Sequence, residues 1–368
     1  MKKFLAFLLY SLVFGKPRKK SDLKLPDLSS LKRIMVVRND KIGDLICSLP
    51  AFEALKKACP QAEITLVAST YNPEVAEGNP YIDKILCYEK YKHSNTSLRL
   101  MSAWRQYRFL RRLRKIRFDL AIGLRAHFSK TQSLIVFASG APYRLGHNPK
   151  RRRYKALAFF YNLYVPNSRA EKHEVQRSLD VVRTLGVDLE NPKPLVVINQ
   201  DERDFAQRIL KESDIKGSPV IGYHISNYSA SLVWLLENFA GVIRLLKTRY
   251  PDSEHLITFA PDKVEDALKL TGMVKDSVHI IKTPTIKKLG AIQRHCQLFI
   301  TLDGAPMHLA AALDIPIVAL FKGSYPVVWH PWCQHHRCLF KGADINDISV
   351  QDVFTAATEM LPDQMTSS

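Results

Sequence analysis

The sequence predicts an α/β protein built from two doubly wound, Rossmann-like domains, and three observations carry that expectation. Short apolar runs of strand length alternate with helical patterns along the whole chain, as in βαβ units. The 368 residues, 46% of them hydrophobic, suffice for two such domains with separate cores. A charged, proline-bearing stretch from 188 to 219 interrupts the alternation and marks the connection. The organisation that follows is a basic and apolar N-terminal segment (1–30), a first domain (31–190), a linker (191–217), a second domain (218–348), and a C-terminal helix and tail (349–368).

In the first half, strands are expected at 34 to 38, 64 to 68, 82 to 88 and 119 to 124. In the second half they are expected at 220 to 224, 255 to 259, 278 to 281, 298 to 301 and 317 to 321. Leu195-Val196-Val197-Ile198, inside the linker, is apolar enough to join either sheet. The halves share a style without a short sequence repeat.

Two strand-to-helix junctions stand out, because open α/β sheets bind ligands beyond the carboxyl ends of their strands. In the first, Asn39-Asp40-Lys41-Ile42-Gly43-Asp44 follows an apolar strand and leads into a helical pattern with Leu45, Leu49, Phe52 and Leu55 on one face, which Pro50 is expected to break or kink. Asp44 at a helix start is commonly a cap. Only a partner site would make it a general base. In the second, the strand ending at Thr301 runs into Leu302-Asp303-Gly304-Ala305-Pro306-Met307-His308. The first-turn amides and dipole of such a helix form an anion site, to which His308 adds a side-chain donor. A ligand-free turn would have the same sequence, so this motif alone leaves both readings open.

The motifs R-x-D-x-I-G-D-L-x-x-S-L-P-A from Arg38, H-E-V-x-R-S-L-D-V-V from His173, T-x-x-K-L-G-A-I from Thr285 and D-G-A-P-M-H-L-A-A-A-L from Asp303 occur in this order. Together they resemble glycosyltransferase family 9, the lipopolysaccharide heptosyltransferase family, from about Arg33 to about Pro331. The resemblance implies a GT-B fold, with an N-terminal acceptor domain and a C-terminal donor domain facing across a cleft and the last helix packing back over the junction. It also implies a nucleotide-diphospho-sugar donor such as ADP-heptose, a lipid A core or related glycolipid acceptor, and inverting displacement without a covalent intermediate or an obligatory metal.

Sugar transfer needs a base for the acceptor hydroxyl and donors for the departing diphosphate. Asp44 is the expected base, with Lys41 and Gly43 in the acceptor loop. Asp303, Gly304, Ala305, Pro306, Met307 and His308 are the expected donor loop, and the resemblance adds His224 and Ser226 as part of a phosphate loop. The chain departs from the family at three places. Gly304-Ala305 replaces a hydroxyl residue and glycine, no lysine precedes Trp234, and Lys322-Gly323-Ser324-Tyr325-Pro326 replaces G-P-T-D-P. Lys322 is then the residue expected to supply positive charge near the diphosphate. Another nucleotide sugar, or a weakly active glycolipid-binding protein, are the alternatives, and the presence of Asp44 argues against the second.

The formal net charge of +19 calls for an anionic partner. Arg99, Arg105, Arg108, Arg111, Arg112, Arg114, Lys115 and Arg117 fall in one acid-free helical stretch, with Leu100, Trp104, Tyr107, Leu110 and Leu113 expected as its apolar face. A second basic cluster spans 150 to 155. Nucleic acid is not expected, because no zinc-finger spacing, aromatic RNA-binding motif or recognition helix accompanies these clusters. The apolar segment from Phe4 to Gly15 would reach only ~18 Å as a helix, short of the ~30 Å bilayer core. Flanked by basic residues and lacking a cleavage site, it is expected to be an interfacial anchor, which places the protein in the cytoplasm, peripheral on the inner membrane. Cys47, Cys59, Cys87 and Cys296 are expected as reduced core thiols, and the His/Cys-rich stretch 330–338 as a surface loop. No cofactor and no metal are expected.

Overall fold

The computed structural model describes residues 14, 24–89, 96–166, 170–274, 278–322 and 326–361. The chain forms two compact units, Met1–Pro194 and Leu195–Ser368. In the first, strands β1 (Arg33–Val37), β2 (Glu63–Ser69), β3 (Lys84–Tyr88), β4 (Leu120–Gly123), β5 (Tyr143–Gly146) and β6 (Leu163–Tyr164) form one parallel sheet. Its order is β3-β2-β1-β4-β5-β6, the doubly wound order that reverses between β1 and β4. The connecting helices are α1 (Ile42–Ile46), α2 (Leu49–Ala58), α3 (Thr96–Ile116), α4 (Lys130–Ala138) and α5 (Glu174–Arg183).

The second unit repeats the plan. It opens with α6 (Gln200–Glu212), and its sheet contains β7 (Val220–His224), β8 (Glu254–Thr258), β9 (His279–Ile280), β10 (Leu298–Leu302), β11 (Ile317–Phe321) and β12 (His336–Phe340). The order is β12-β11-β10-β7-β8-β9, all parallel, so the switch point lies between β7 and β10. Helices α7 (Leu236–Arg249), α8 (Val264–Val274), α9 (Ile286–Gln293), α10 (Ala305–Ala312), α11 (Pro326–Trp329) and α12 (Val350–Met360) complete it. Both units are therefore Rossmann-like. No helix among the described residues is long and apolar enough to cross a membrane.

Several expectations are corrected. Pro50 does not kink one helix; it sits in the first turn of α2, where its missing N–H costs nothing, and α1 is a separate short helix. The expected linker contains α6, which packs on α9, and Leu195 to Ile198 stay outside both sheets, with Ile198 against Gly290 of α9. Within the second unit, helix α12 packs on α7 and strands β10 to β12. Strands β5, β6 and β12 escaped the sequence reading; β12 takes in 336–338, part of the stretch read as a loop. Cys87, read as a core thiol, is exposed on edge strand β3.

Helix α3 also turns differently from its expected face. Ser102, Leu110 and Leu113 are buried and Gln106 and Phe109 half-buried, whereas Trp104 and Tyr107 are 57% and 44% exposed. Leu110 and Leu113 join a core with Met35, Val37 and Phe137. Most of the expected N-terminal anchor lies outside the described residues. Its Phe14 is described, and the ring packs edge-on against Phe137 in the same core, with centroids 6.4 Å apart.

Candidate active site

The β1/β4 switch point of the first unit is organised by Arg38, which follows the apolar strand β1 and is fully buried. Its Nη2 donates to Glu174 Oε1 at 2.7 Å and to Asp44 Oδ1 at 3.1 Å, and its Nη1 donates to the Leu124 carbonyl at 2.9 Å. Asp40 Oδ1 lies 3.1 Å from Arg38 Nε, and Asp40 Oδ2 lies 3.1 Å from Arg125 Nε. Ser48 and Ser178 hydroxyls meet at 3.1 Å, and Ser48 Oγ also donates to the Asp44 carbonyl at 2.7 Å. The Arg38 and His173 motifs thus describe two faces of one polar joint.

Asp44 is not a cap. Lys41 occupies the N-cap position of α1, exposed to solvent, Gly43 is buried on the helix, and the Asp44 carboxylate turns to Arg38. Burial raises the Asp44 pKa to about 6; Arg38 pulls it down, and Asp40 and Glu174 push it up. Burial opposes the charge of Arg38 too, but Asp40, Glu174 and Asp44 outweigh it and the guanidinium pKa is raised. One cation shared among three carboxylates fully compensates none of them. With its side chain 19% exposed, Asp44 is a carboxylate that can take up a proton near neutral pH. Arg38, Asp40, Arg125 and Glu174 were missed as site residues. For Arg38, Asp40 and Glu174 the signal was a charge at a strand end or a helix start inside motifs already singled out, whereas Arg125 lies in none of them.

Arg125 also lines a cavity of about 720 Å³ in the first unit. Lys150, Arg151 and Arg153, from the second basic cluster, form part of its wall with Lys130 and Arg177, while Asp180 is its single acid. Burial, with help from His127 and Lys150, lowers the pKa of the lining His147 to about 4. Burial, then Arg125, likewise lowers that of His127. The cavity is therefore cationic through its arginines and lysines, with neutral imidazoles among them.

The β7/β10 switch point of the second unit brings the expected donor residues together. His224 Nδ1 is 3.0 Å from Thr258 Oγ1, which donates to the Tyr223 carbonyl at 2.7 Å. Thr258 therefore accepts from His224, and Nε2 is left to accept from Ser226 Oγ at 3.1 Å. Ser226 Oγ in turn accepts the Ala260 amide at 2.7 Å. Burial lowers the His224 pKa to about 4, consistent with this neutral tautomer. His224 and Ser226 thus hold the loop in shape through each other. Asn227 Nδ2 donates to the Asp303 carbonyl at 2.6 Å and ties that loop to the start of α10.

Gly304 is the N-cap of α10 and makes no side-chain cap. Pro306 brings no N–H, so Ala305 and Met307 supply the first-turn amides. Asp303 to Pro306 are half-buried and Met307 is fully buried. His308, also buried, has its pKa lowered to about 4 by burial and then by His330, and it meets Trp329 edge-on at 5.9 Å. Lys322 follows β11, half-buried; residues 323 to 325 lie outside the described set. In the His/Cys-rich stretch, His330 and His336 direct Nδ1 at the carbonyls of Pro326 and Cys333, at 2.8 and 2.9 Å.

The profile of glycosyltransferase family 9 (heptosyltransferase) matches residues 106–353, more than half of the chain. The chain belongs to glycosyltransferase family 9. It is a glycosyltransferase by that membership. Among its family 9 relatives, lipopolysaccharide heptosyltransferase 3 of Escherichia coli is 24% identical over 328 residues, 84% of this chain and 89% of the relative. A family 9 glycosyltransferase of Veillonella parvula shares the fold with a TM-score of 0.78 and 24% identity, over 91% of this chain and 98% of the other. E. coli ADP-heptose lipopolysaccharide heptosyltransferase II does so at 0.71 and 18%, over 89% and 98%. The GT-B fold expected of family 9 is thus the fold of this chain.

Proposed function

We propose that this family 9 enzyme transfers heptose from ADP-heptose to a sugar of the lipopolysaccharide core or a related anionic glycolipid, by a single inverting displacement with Asp44 as general base. The observation that carries the proposal is the Arg38-Asp44-Glu174 network, which leaves a carboxylate with a pKa of about 6 at the end of β1. Arg125 links that network through Asp40 to the basic cavity, whose charge suits an acceptor carrying phosphate or carboxylate groups. The names of the relatives, lipopolysaccharide heptosyltransferases including one that uses ADP-heptose, support the donor and the acceptor class.

In the reaction, the acceptor hydroxyl gives its proton to Asp44 as its oxygen attacks the anomeric carbon. The bond from that carbon to the diphosphate oxygen breaks, and ADP leaves with the electron pair. The amides that open α10 and Lys322 receive the developing negative charge. Asp40 and Glu174 keep Arg38 from being spent wholly on Asp44, so the base retains proton affinity. His224 and Ser226 hold the phosphate loop rather than the phosphate. The departures around Trp234 and Gly304 leave the backbone amides, together with Lys322, to do what other side chains do elsewhere in the family.

The test is a transfer assay with purified protein, ADP-heptose and a truncated core acceptor, read by mass spectrometry and by the anomeric coupling in the product. One added heptose with inverted configuration is expected. Transfer only from another nucleotide sugar would reassign the donor, and a retained configuration would remove the single displacement.

A further inference from the structure

We propose that the exposed face of α3 is a docking surface for an anionic lipid bilayer, with aromatic side chains seated among the headgroups and arginines on the lipid phosphates. The 21 residues of α3 contain no acid. At about 100° per residue, the buried stripe through Ser102, Leu110 and Leu113 puts Trp104 near the opposite pole, with Arg108, Arg111 and Lys115 within roughly 40° of it and Arg112 about 80° round, at the edge of the exposed face. All five are exposed. The Arg108 guanidinium lies over the Trp104 ring, 4.5 Å from its centroid. Met101, 54% exposed, and Tyr107 extend the apolar content of the same face.

Two physical arguments select a bilayer. A merely solvated basic face gains nothing from large apolar side chains at its centre, whereas tryptophan and tyrosine with an apolar body and a polar edge belong at the headgroup level. Arginine and lysine around them meet the negative potential of an anionic leaflet. A helix that reads DNA base edges combines arginine and lysine with asparagine and glutamine, whose amides pair with adenine, and this face exposes no such amide. Between Met101 and Lys115 the exposed side chains are alanine, methionine, tryptophan, tyrosine, arginine and lysine only, while Ser102 and Gln106 face inward. The proposal depends on neither the sugar donor nor the base, and its test reads no sugar transfer.

The test is flotation of the full chain with phosphatidylcholine vesicles, with and without phosphatidylglycerol, at moderate salt. Binding is expected only to vesicles with the anionic lipid. Substituting Arg108, Arg111, Arg112 and Lys115 together by Gln should weaken partitioning by roughly fivefold per side chain, a hundredfold or more in all. Trp104→Ser alone should weaken it at high salt as well as low, since its contribution is apolar. A control that substitutes Lys211, Arg244, Lys269 and Arg294 by Gln removes the same charge from exposed sites of the second unit and should float like the wild type. Unchanged flotation of the α3 variants, equal loss in the control, equal binding to neutral vesicles, or tighter binding to an RNA or DNA oligonucleotide than to anionic vesicles would each overturn the proposal.

Discussion

Arg38 and Glu174, 136 residues apart in the sequence, are joined by a buried hydrogen bond of 2.7 Å between Nη2 and Oε1. The same Nη2 reaches Asp44 at 3.1 Å, so the first residue of α5 acts on the candidate base through one guanidinium. Removing Arg38, the one cation of this buried set, would leave its carboxylates uncompensated and cost about 3 to 5 kcal/mol. The geometry therefore separates a carboxylate that does chemistry from one that positions it, and the two respond differently to substitution.

The Asp44 carboxyl is raised to about 6, and a general base works in its ionised form. Activity should therefore climb as pH rises through about 6, and Asp44→Asn should lower turnover by about a hundredfold or more. Because the folded pKa is raised, the fold favours the protonated carboxyl, and that contribution is lost as pH rises through about 6. Asparagine carries no charge to desolvate, so the variant should be at least as stable as the wild type above that pH. A pH–rate profile and urea unfolding of both proteins check the two halves; near wild-type turnover in the variant would reduce Asp44 to a structural residue.

Glu174→Gln keeps an acceptor for Arg38 but removes a negative charge that raises the Asp44 pKa. Arg38 then bears more strongly on Asp44, so the ascending limb should move to lower pH, by roughly one unit or less. The plateau rate should change far less than in Asp44→Asn. A limb that stays in place would mean that Glu174 supports the fold without setting the base.

Ala305 is half-buried at the first position of α10, beside the amides expected to meet the diphosphate. Leucine there should block close approach, and losing a hydrogen bond to a charged phosphate costs about 1.5 to 3 kcal/mol, or roughly ten- to a hundredfold in ADP affinity. Calorimetric titration of wild type and Ala305→Leu with ADP, UDP and GDP measures this and ranks the bases at once. Equal ADP affinity in both proteins would move the diphosphate away from α10. The companion His308→Ala should lose stability as well as affinity, since it also gives up the contact with Trp329.

Ser226→Ala removes the acceptor of the Ala260 amide and the donor to His224 Nε2. Leaving these groups without a partner should cost about 1 to 3 kcal/mol in urea unfolding. The same substitution should weaken ADP binding less than Ala305→Leu, because Ser226 acts by holding the loop.

Strands β1, β2, β7, β8, β10 and β11 were legible because a parallel sheet covered on both faces demands continuous apolar runs, such as Ile34-Met35-Val36-Val37. Strands β5 and β12 were not, since Tyr143-Arg144-Leu145-Gly146 and His336-Arg337-Cys338-Leu339-Phe340 carry charge or glycine toward the sheet margins, and β6, Leu163-Tyr164, is too short to form a pattern. Gly146 has a reason that no local pattern reveals: the Tyr161 ring lies where its side chain would be.

Asp44, Gly304 and the switch-point junctions could be named from the sequence because strand-to-helix turns are local, and local spacing fixes which residue opens a helix. Position in the chain could not show that Arg38 is divided among three carboxylates, that His224 and Ser226 hydrogen-bond each other, or that Trp104 faces outward while Leu110 faces in. Those facts depend on which distant surfaces the sheet order brings together. Burial sets the strength of each charge and the direction of each helix face, and burial exists only once the chain is folded.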